Sequence, residues 1–393
     1  MVDPKLYEGR EQTYVKHVIL DQYLAKFAHI IGSWADSITY VDGFSGPWNS
    51  VSEKFEDSSF GIAIERLKKA RSDLEQSNKR TFKIRCFFVE ESESAFNRLK
   101  TFTEGITDVE IKAVKSTFEA AIPTIVEFVR QSPGINFLFL LLDPKGWTGF
   151  SMEKIRVLLE WEPSEILVNF MTSHIKRFLA LEDDVTKEQF ERLFGDRDFR
   201  AVIAGLQGFD REYAAVEAYA SSLGKTGNFP NVCKALVLKS NRDETHYHLI
   251  YATRHPRGVE VFKSAERAAM VAMEGVRATA HQRTRQKRTG QLDLLPASDL
   301  HSTSHFDFLR ETFLRRVGKA IRDRIILDEK VSYDELWRLA MRFPVVWSSD
   351  LNGYLQECNK AGAVAIENMP HGARVPKFGK SISVTLRDAR SFS

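Results

Sequence analysis

The stretch Ser37–Trp48, SITYVDGFSGPW, limits what this chain can fold into more than any other. Ile38, Tyr40 and Val41 form an apolar run dense in β-branched and aromatic residues, as a buried parallel strand needs. The run stops at Asp42, and Gly43, Phe44, Ser45, Gly46 and Pro47 follow at once. Glycines there let the backbone turn sharply and approach a ligand closely, while a carboxylate at the strand end can accept hydrogen bonds from it. Open α/β sheets build nucleotide-type sites at their carboxyl edge in this way. The spacing is not GxGxxG, so the segment marks a sheet edge without naming a ligand.

At 393 residues the chain exceeds the usual size of one domain, and two are expected. The longest apolar run, Phe137–Leu142, is strand-sized, which argues against a membrane span. The opening MVDPKLYEGREQ lacks the apolar core of a secretory signal. Three cysteines, Cys86, Cys233 and Cys358, lie far apart with no CxxC or histidine pairing. That spacing suits neither a disulfide framework nor a metal site, and a reducing cytoplasm is the expected location. Net charge is only +3, so any nucleic-acid binding must come from local clusters.

Apolar residues from Val15 to Ile31 fall on a helical stripe over 13–31, with Lys16 and His17 at its start. Those two residues read either as a solvated helix end or as contacts to a ligand's tail. Lys83–Glu90 is the second strand; Glu90 at its end suits ribose hydroxyls, or equally the dipole of a helix over 93–101. Val109–Val114 is the third strand, followed by Ser116 and Thr117, which suit an adenine ring or an N-cap. Asn136–Leu142, the most apolar segment, is a central strand that stops at Asp143, Pro144, Lys145, Gly146 and Trp147. Ile166–Met171 is a fifth strand, with helical stretches over 173–181, 186–194 and 210–223 after it. Residues 232–240 and 245–254 read as an antiparallel hairpin. The expected fold is therefore α/β: a Rossmann-like class I methyltransferase sheet with an edge β-hairpin, over residues 1–265. The five-strand part alone would not separate it from a dehydrogenase.

Residues 266–298 start helical and end basic, with Arg277, Arg283, Arg285, Lys287 and Arg288 uninterrupted by any acid. They read as a basic helical linker able to touch phosphates. Residues 299–393 read as a winged-helix domain. Its helices cover 305–326, 332–342 and 349–361, the second opened by a Ser332/Glu335 capping box. A hairpin over 362–369 and 381–387 forms the wing. Asp350 and Glu357 make the third helix a poor phosphate reader, whereas Arg374, Lys377 and Lys380 cluster at the wing tip. A winged helix that binds protein fits as well as one that binds nucleic acid.

Taken together, VDGFSGPW, LLLDPKGWTGF, ILVNFM and YATRHPRGVEVF resemble the three-Cys-motif partner proteins. The matching positions are Lys16 and His17, Asp42 to Pro47, Asp143 to Trp147, and Asn169 to Met171, and the likeness runs through about the whole chain. Trp48 departs from the small residue that commonly follows Gly-Pro there. The resemblance implies a class I methyltransferase-like domain fused to a winged helix, and a three-cysteine, radical-SAM-like protein as partner. It also moves Lys16 and His17 toward the methionine end of S-adenosylmethionine. On this reading Asp42, Gly43, Phe44 and Gly46 hold the cofactor's tail and centre, with Phe44 or Trp48 facing the sulfonium. Glu90 takes the ribose, and Ser116 or Thr117 the adenine.

Enzymes that methylate exocyclic amines of nucleobases place an acid or amide, prolines and an aromatic at the fourth strand's end. Asp143, Pro144, Lys145 and Trp147 are the corresponding catalytic candidates, although Lys145 and Gly146 interrupt the pattern. The same residues also suit an ordinary βα turn in which Trp147 packs on the sheet. The expected function is a methyltransferase acting on nucleic acid, with phosphates met by Arg283, Arg285, Lys287, Arg288, Arg374, Lys377 and Lys380. The alternatives are a non-catalytic adaptor that retains the fold and another nucleotide-handling enzyme on the same sheet.

Overall fold

A computed structural model describes residues 2–46, 50–77, 80–178, 183–195, 199–291 and 295–392. Pro47 and Trp48 of the glycine turn, Leu181 of the first helical stretch and Leu294 of the expected linker lie outside the described residues. The chain divides into two compact units: residues 1–232 with 236–301, and residues 302–393 with 233–235.

The first unit alternates helix and strand. In order these are α1 (Glu11–Gly32), β1 (Ser37–Asp42), α2 (Ser59–Gln76), β2 (Lys83–Glu90), α3 (Glu93–Glu104), β3 (Glu110–Lys115), α4 (Phe118–Arg130), β4 (Asn136–Leu142), α5 (Met152–Leu159) and β5 (Ser164–Phe170). Then follow α6 (Thr172–Phe178), α7 (Asp184–Phe194), α8 (Phe199–Ile203), α9 (Gly208–Thr226), β6 (Asn231–Leu238), β7 (Thr245–Thr253) and α10 (Pro256–Thr289). The strands make a seven-stranded sheet in the order β3-β2-β1-β4-β5-β7-β6. β1 to β5 pair in parallel, and β7 runs antiparallel to β5. This is the Rossmann-like class I methyltransferase sheet, with β6 and β7 at its edge.

Every residue of β1, β4 and β5 is buried, because helices cover both faces of a parallel sheet. Val41, Phe87, Leu138 and Leu140 pack on one face against Phe118, Ile122 and Ile125 of α4. On the other, Tyr40 stacks on Phe139, and Phe139 meets Tyr23 and Phe27 of α1. β1 lies between β2 and β4, so Asp42 ends opposite Phe88 on one side and Leu141 on the other.

The expected linker over 266–298 is not one. α10 runs unbroken from Pro256 to Thr289 and buries Val259, Phe262, Ala269, Met273, Ala278 and Ala280 within the first unit. Lys26 of α1 bonds Ser264 at 2.8 Å, and Arg283 forms ion pairs with Glu8 (2.6 Å) and Glu11. Arg277 is buried against Asp243 at 2.6 Å. The apolar stripe of 259–280 outweighs the basic end that suggested a solvated connector, since burying each large side chain is worth about 2 kcal/mol.

The second unit contains α11 (Ser304–Asp328), β8 (Lys330–Ser332), α12 (Tyr333–Met341), α13 (Ser348–Lys360), β9 (Val364–Glu367) and β10 (Ser383–Leu386). Leu309, Phe313, Val317, Ile321 and Ile325 recur every fourth residue and form α11's buried stripe. The capping box forms as its residues require: Ser332 Oγ accepts from Glu335 N at 3.2 Å while Glu335 accepts from Ser332 N. Its sheet has three strands, β8-β10-β9, all antiparallel. β8 extends the expected hairpin; at three residues it is too short to show alternation.

Candidate functional site

The glycine turn is pinned to both strands that flank β1. Gly43 N donates to Leu141 O of β4 (3.0 Å), and Ser45 N donates to Val89 O of β2 (2.8 Å). Position 43 has no room for a side chain: a Cβ there would lie 2.7 Å from the Phe118 ring and 2.9 Å from Leu142. Gly43 is therefore needed for packing, with its open face filled by the chain's own residues.

Asp42 organises this turn from beneath. It is fully buried; Oδ1 accepts from Phe44 N (3.1 Å) and Oδ2 from the Ser59 hydroxyl (2.5 Å) at the start of α2. Burial pushes its carboxyl up to about 6, against the lowering effect of those two bonds; nearby Asp143 raises it further and Lys16 opposes.

A polar cavity of about 120 Å³ opens beyond the turn. Arg10, Lys16 and His17 line it from the start of α1, Phe44 and Gly46 from the turn, and Asp143 from the end of β4. Lys16 and Asp143 form an ion pair with side chains 13% and 17% exposed. The other Asp143 oxygen accepts from Asn169 Nδ2 at 2.7 Å, so β5 steadies the carboxylate that β4 delivers. His17 Nδ1 lies 2.9 Å from the Tyr7 hydroxyl. Burial, then Lys16 and Arg10, hold His17 well below the usual histidine range, so its ring is neutral.

Arg10, Asp57, Ser58 and Ser59 join this site without having been singled out in the sequence. Arg10 pairs with Asp57 at 2.6 Å, and the Asp57 side chain is wholly buried. Burial alone would raise its carboxyl, but bonds from Ser50, Arg10 and Val51 together hold it below the usual range. A signal existed for part of this: Asp57-Ser58-Ser59 precedes an apolar helix, and Ser58 is its N-cap, accepting from Gly61 N at 3.1 Å. Nothing local marked Arg10, whose partner lies 47 residues away.

Glu90 ends β2 at the carboxyl edge but is only 2% exposed and does not line the cavity. Its Oε1 accepts from Ser92 N (2.6 Å) ahead of α3, and burial, partly offset by that bond and by Lys145, raises its carboxyl. Thr117 is the N-cap of α4, accepting from Ala120 N at 3.4 Å, and Ser116 N donates to Glu90 O at 3.1 Å. Pro144 is buried and Lys145 exposed.

Trp147 takes the packing role of the βα-turn alternative rather than a place in the cavity. It is buried and stacks on Phe190 of α7, ring centroids 4.2 Å apart and planes 11° from parallel. An indole gains more from a closed apolar contact than from standing at a wet sheet edge, and Trp147 does not line the cavity at Asp143. Among the basic residues, Arg283 is occupied by Glu8 and Glu11, whereas Arg374, Lys377 and Lys380 are exposed between β9 and β10.

No family model and no curated protein sequence matches this chain. Among solved structures, one similar to it is a Legionella pneumophila protein of family DUF519, at 10% identity over 67% of this chain and 92% of that one, TM-score 0.36. Another is loganic acid methyltransferase with S-adenosylhomocysteine, at 10% identity over 72% of this chain and 91% of that one, TM-score 0.28. The sheet order itself, rather than these distant likenesses, is what identifies the fold as methyltransferase-like.

Proposed function

We propose that the carboxyl edge of the first unit binds S-adenosylmethionine, and that the chain is a methyltransferase acting on an exocyclic amine of nucleic acid. The observation that carries this reading is Asp143. Its carboxylate faces the cavity at the end of β4, next to Pro144, with one oxygen held by Lys16 and the other by Asn169. A carboxylate so held keeps lone pairs free to accept from an amine.

The cavity's polar lining suits the cofactor's amino-acid end, with the Arg10–Asp57 and Lys16–Asp143 pairs in its wall. Its volume, about 120 Å³, is below the roughly 300 Å³ at which sites for drug-sized ligands begin. Once bound, the cofactor supplies an electrophilic methyl group on its sulfonium. Asp143 then orients the acceptor amine by taking its hydrogen bond, and the ion pair with Lys16 fixes the position of the carboxylate. Alignment of that kind supplies much of the rate in a displacement with few other chemical demands.

We read the second unit as a winged helix whose wing tip, Arg374, Lys377 and Lys380, meets phosphates. Lys287 and Arg288 of α10 offer the first unit's own cations for the same purpose. A three-cysteine, radical-SAM-like protein is the proposed partner, and the cytoplasm the proposed location. The test is calorimetric titration with S-adenosylmethionine and S-adenosylhomocysteine, repeated on Lys16→Met, a change in the cavity wall, followed by labelled-methyl incorporation into total RNA and DNA. Absence of binding by either compound overturns the reading.

One observation favours a second reading, a non-catalytic adaptor: the Lys16–Asp143 ion pair and the small cavity leave the edge mostly filled. Copurification with the three-cysteine protein, and no methyl incorporation, would select it.

A further inference from the structure

The amino-terminal edge of the same sheet carries a second concavity. It is a cleft of about 620 Å³ among the C-terminal half of α1, the starts of β4 and β5, the end of β7 and the first turns of α10. Tyr23, Phe27, Ile30, Trp34, Phe137 and Val261 form its walls. Phe27 and Trp34 both meet the Phe137 ring edge-on, with centroids 5.2 and 6.0 Å apart, so the aromatic wall is continuous. Trp34 stays 40% exposed, unusual for so large an apolar ring. The volume falls within the roughly 300–1,000 Å³ of small-molecule sites.

The charged groups around the cleft already have polar partners. Glu165, on β5, accepts from the Thr253 hydroxyl at 2.7 Å and from the Tyr23 hydroxyl, which in turn lies 2.8 Å from the Tyr251 hydroxyl. Gly258 lets α10 close over this cluster, since a Cβ there would fall 2.3 Å from the Tyr251 hydroxyl and 2.6 Å from Glu165. Arg254 donates to Leu159 O and Gly227 O at 2.7 Å each and pairs with Glu162 at 2.9 Å. Arg257 pairs with Glu260 at 2.8 Å. An ion entering the cleft would shed hydration and find Arg254 and Arg257 already ion-paired and Glu165 already holding two hydroxyl donors, whereas an uncharged apolar molecule gains by burial.

We propose that this cleft is a binding site for a neutral, largely apolar small molecule, seated on the aromatic wall of α1 and Phe137. It is separate from the cavity at Asp143: α1 lines that cavity with Lys16 and His17, and this cleft with residues from Tyr23 onward. The inference does not depend on methyl transfer.

The test is fluorescence titration of the full chain with N-phenyl-1-naphthylamine, an uncharged apolar fluorophore that brightens on leaving water. One saturable site per chain is expected, with energy transfer from Trp34 and no displacement by S-adenosylhomocysteine. Ile30→Glu puts a charge into a half-exposed part of the wall and weakens the probe at least about tenfold. Trp34→Phe keeps the wall apolar, holds affinity within about threefold and removes its share of the transfer. Both positions are partly exposed, and thermal melting verifies that the variants fold. No saturable binding by the wild type overturns the proposal, as does unchanged affinity in Ile30→Glu or displacement by S-adenosylhomocysteine. Half a probe per chain with dimer formation in sedimentation assigns the cleft to a second copy and also overturns it.

Discussion

Asp42→Asn isolates what the buried carboxyl at the end of β1 does to stability. The folded chain holds that proton up to about pH 6, against an ordinary value of 3.8, chiefly because the group is out of water. A rise of about 2 pH units corresponds to about 3 kcal/mol. Its sign follows from proton binding: between about pH 4 and 6 the folded state binds more protons than the unfolded one. The stabilising contribution is thus complete below about pH 4, fades as pH rises through about 6, and stays lost above that. An asparagine cannot titrate, yet its amide oxygen can still accept from Phe44 N and its amide can donate to the Ser59 hydroxyl. Relative to the wild type, Asp42→Asn should therefore gain up to about 3 kcal/mol between pH 4 and 7, then hold level. Urea unfolding of both proteins at fixed pH steps, followed by tryptophan fluorescence and circular dichroism, measures this. A difference that stays constant across the range, or that moves in favour of the wild type as pH rises, refutes the reasoning.

Gly43→Ala pushes a methyl group into Phe118 and Leu142 and should cost about 1–3 kcal/mol, read as a lowered Tm. Arg10→Met strands the buried Asp57 carboxylate and should cost about 3 kcal/mol in urea unfolding at pH 7. Asp143→Ala should abolish labelled-methyl incorporation while S-adenosylmethionine affinity in calorimetry stays within about threefold; unchanged turnover removes Asp143 from the mechanism. Neutralising Arg374, Lys377 and Lys380 together should flatten the salt dependence of nucleic-acid binding by a slope of about 2–3, whereas Arg283→Ala, already engaged by Glu8 and Glu11, should leave that slope alone.

Much of the architecture was readable because its signals are local. Continuous apolar runs such as Asn136–Leu142 can only be strands covered on both faces, and the expected limits of β2 and β4 match the observed ones. The Ser332/Glu335 capping box is equally local, needing only a three-residue spacing. The 266–298 linker failed because a basic C-terminal turn dominated the reading, while the alanine- and methionine-rich stripe behind it decided the packing.

The order of residues along the chain determined by itself that an acid and a glycine turn would end β1 and that Asp143 would end β4, because strand ends follow from where apolar runs stop. Only the tertiary structure decided which of these groups face open space. Asp42 turns inward to Phe44 N and Ser59, Trp147 goes to Phe190, and Arg10 arrives from before α1 to meet Asp57. Those outcomes depend on partners far away in sequence, whose competing gains from burial and hydrogen bonding settle only once the sheet has brought them together.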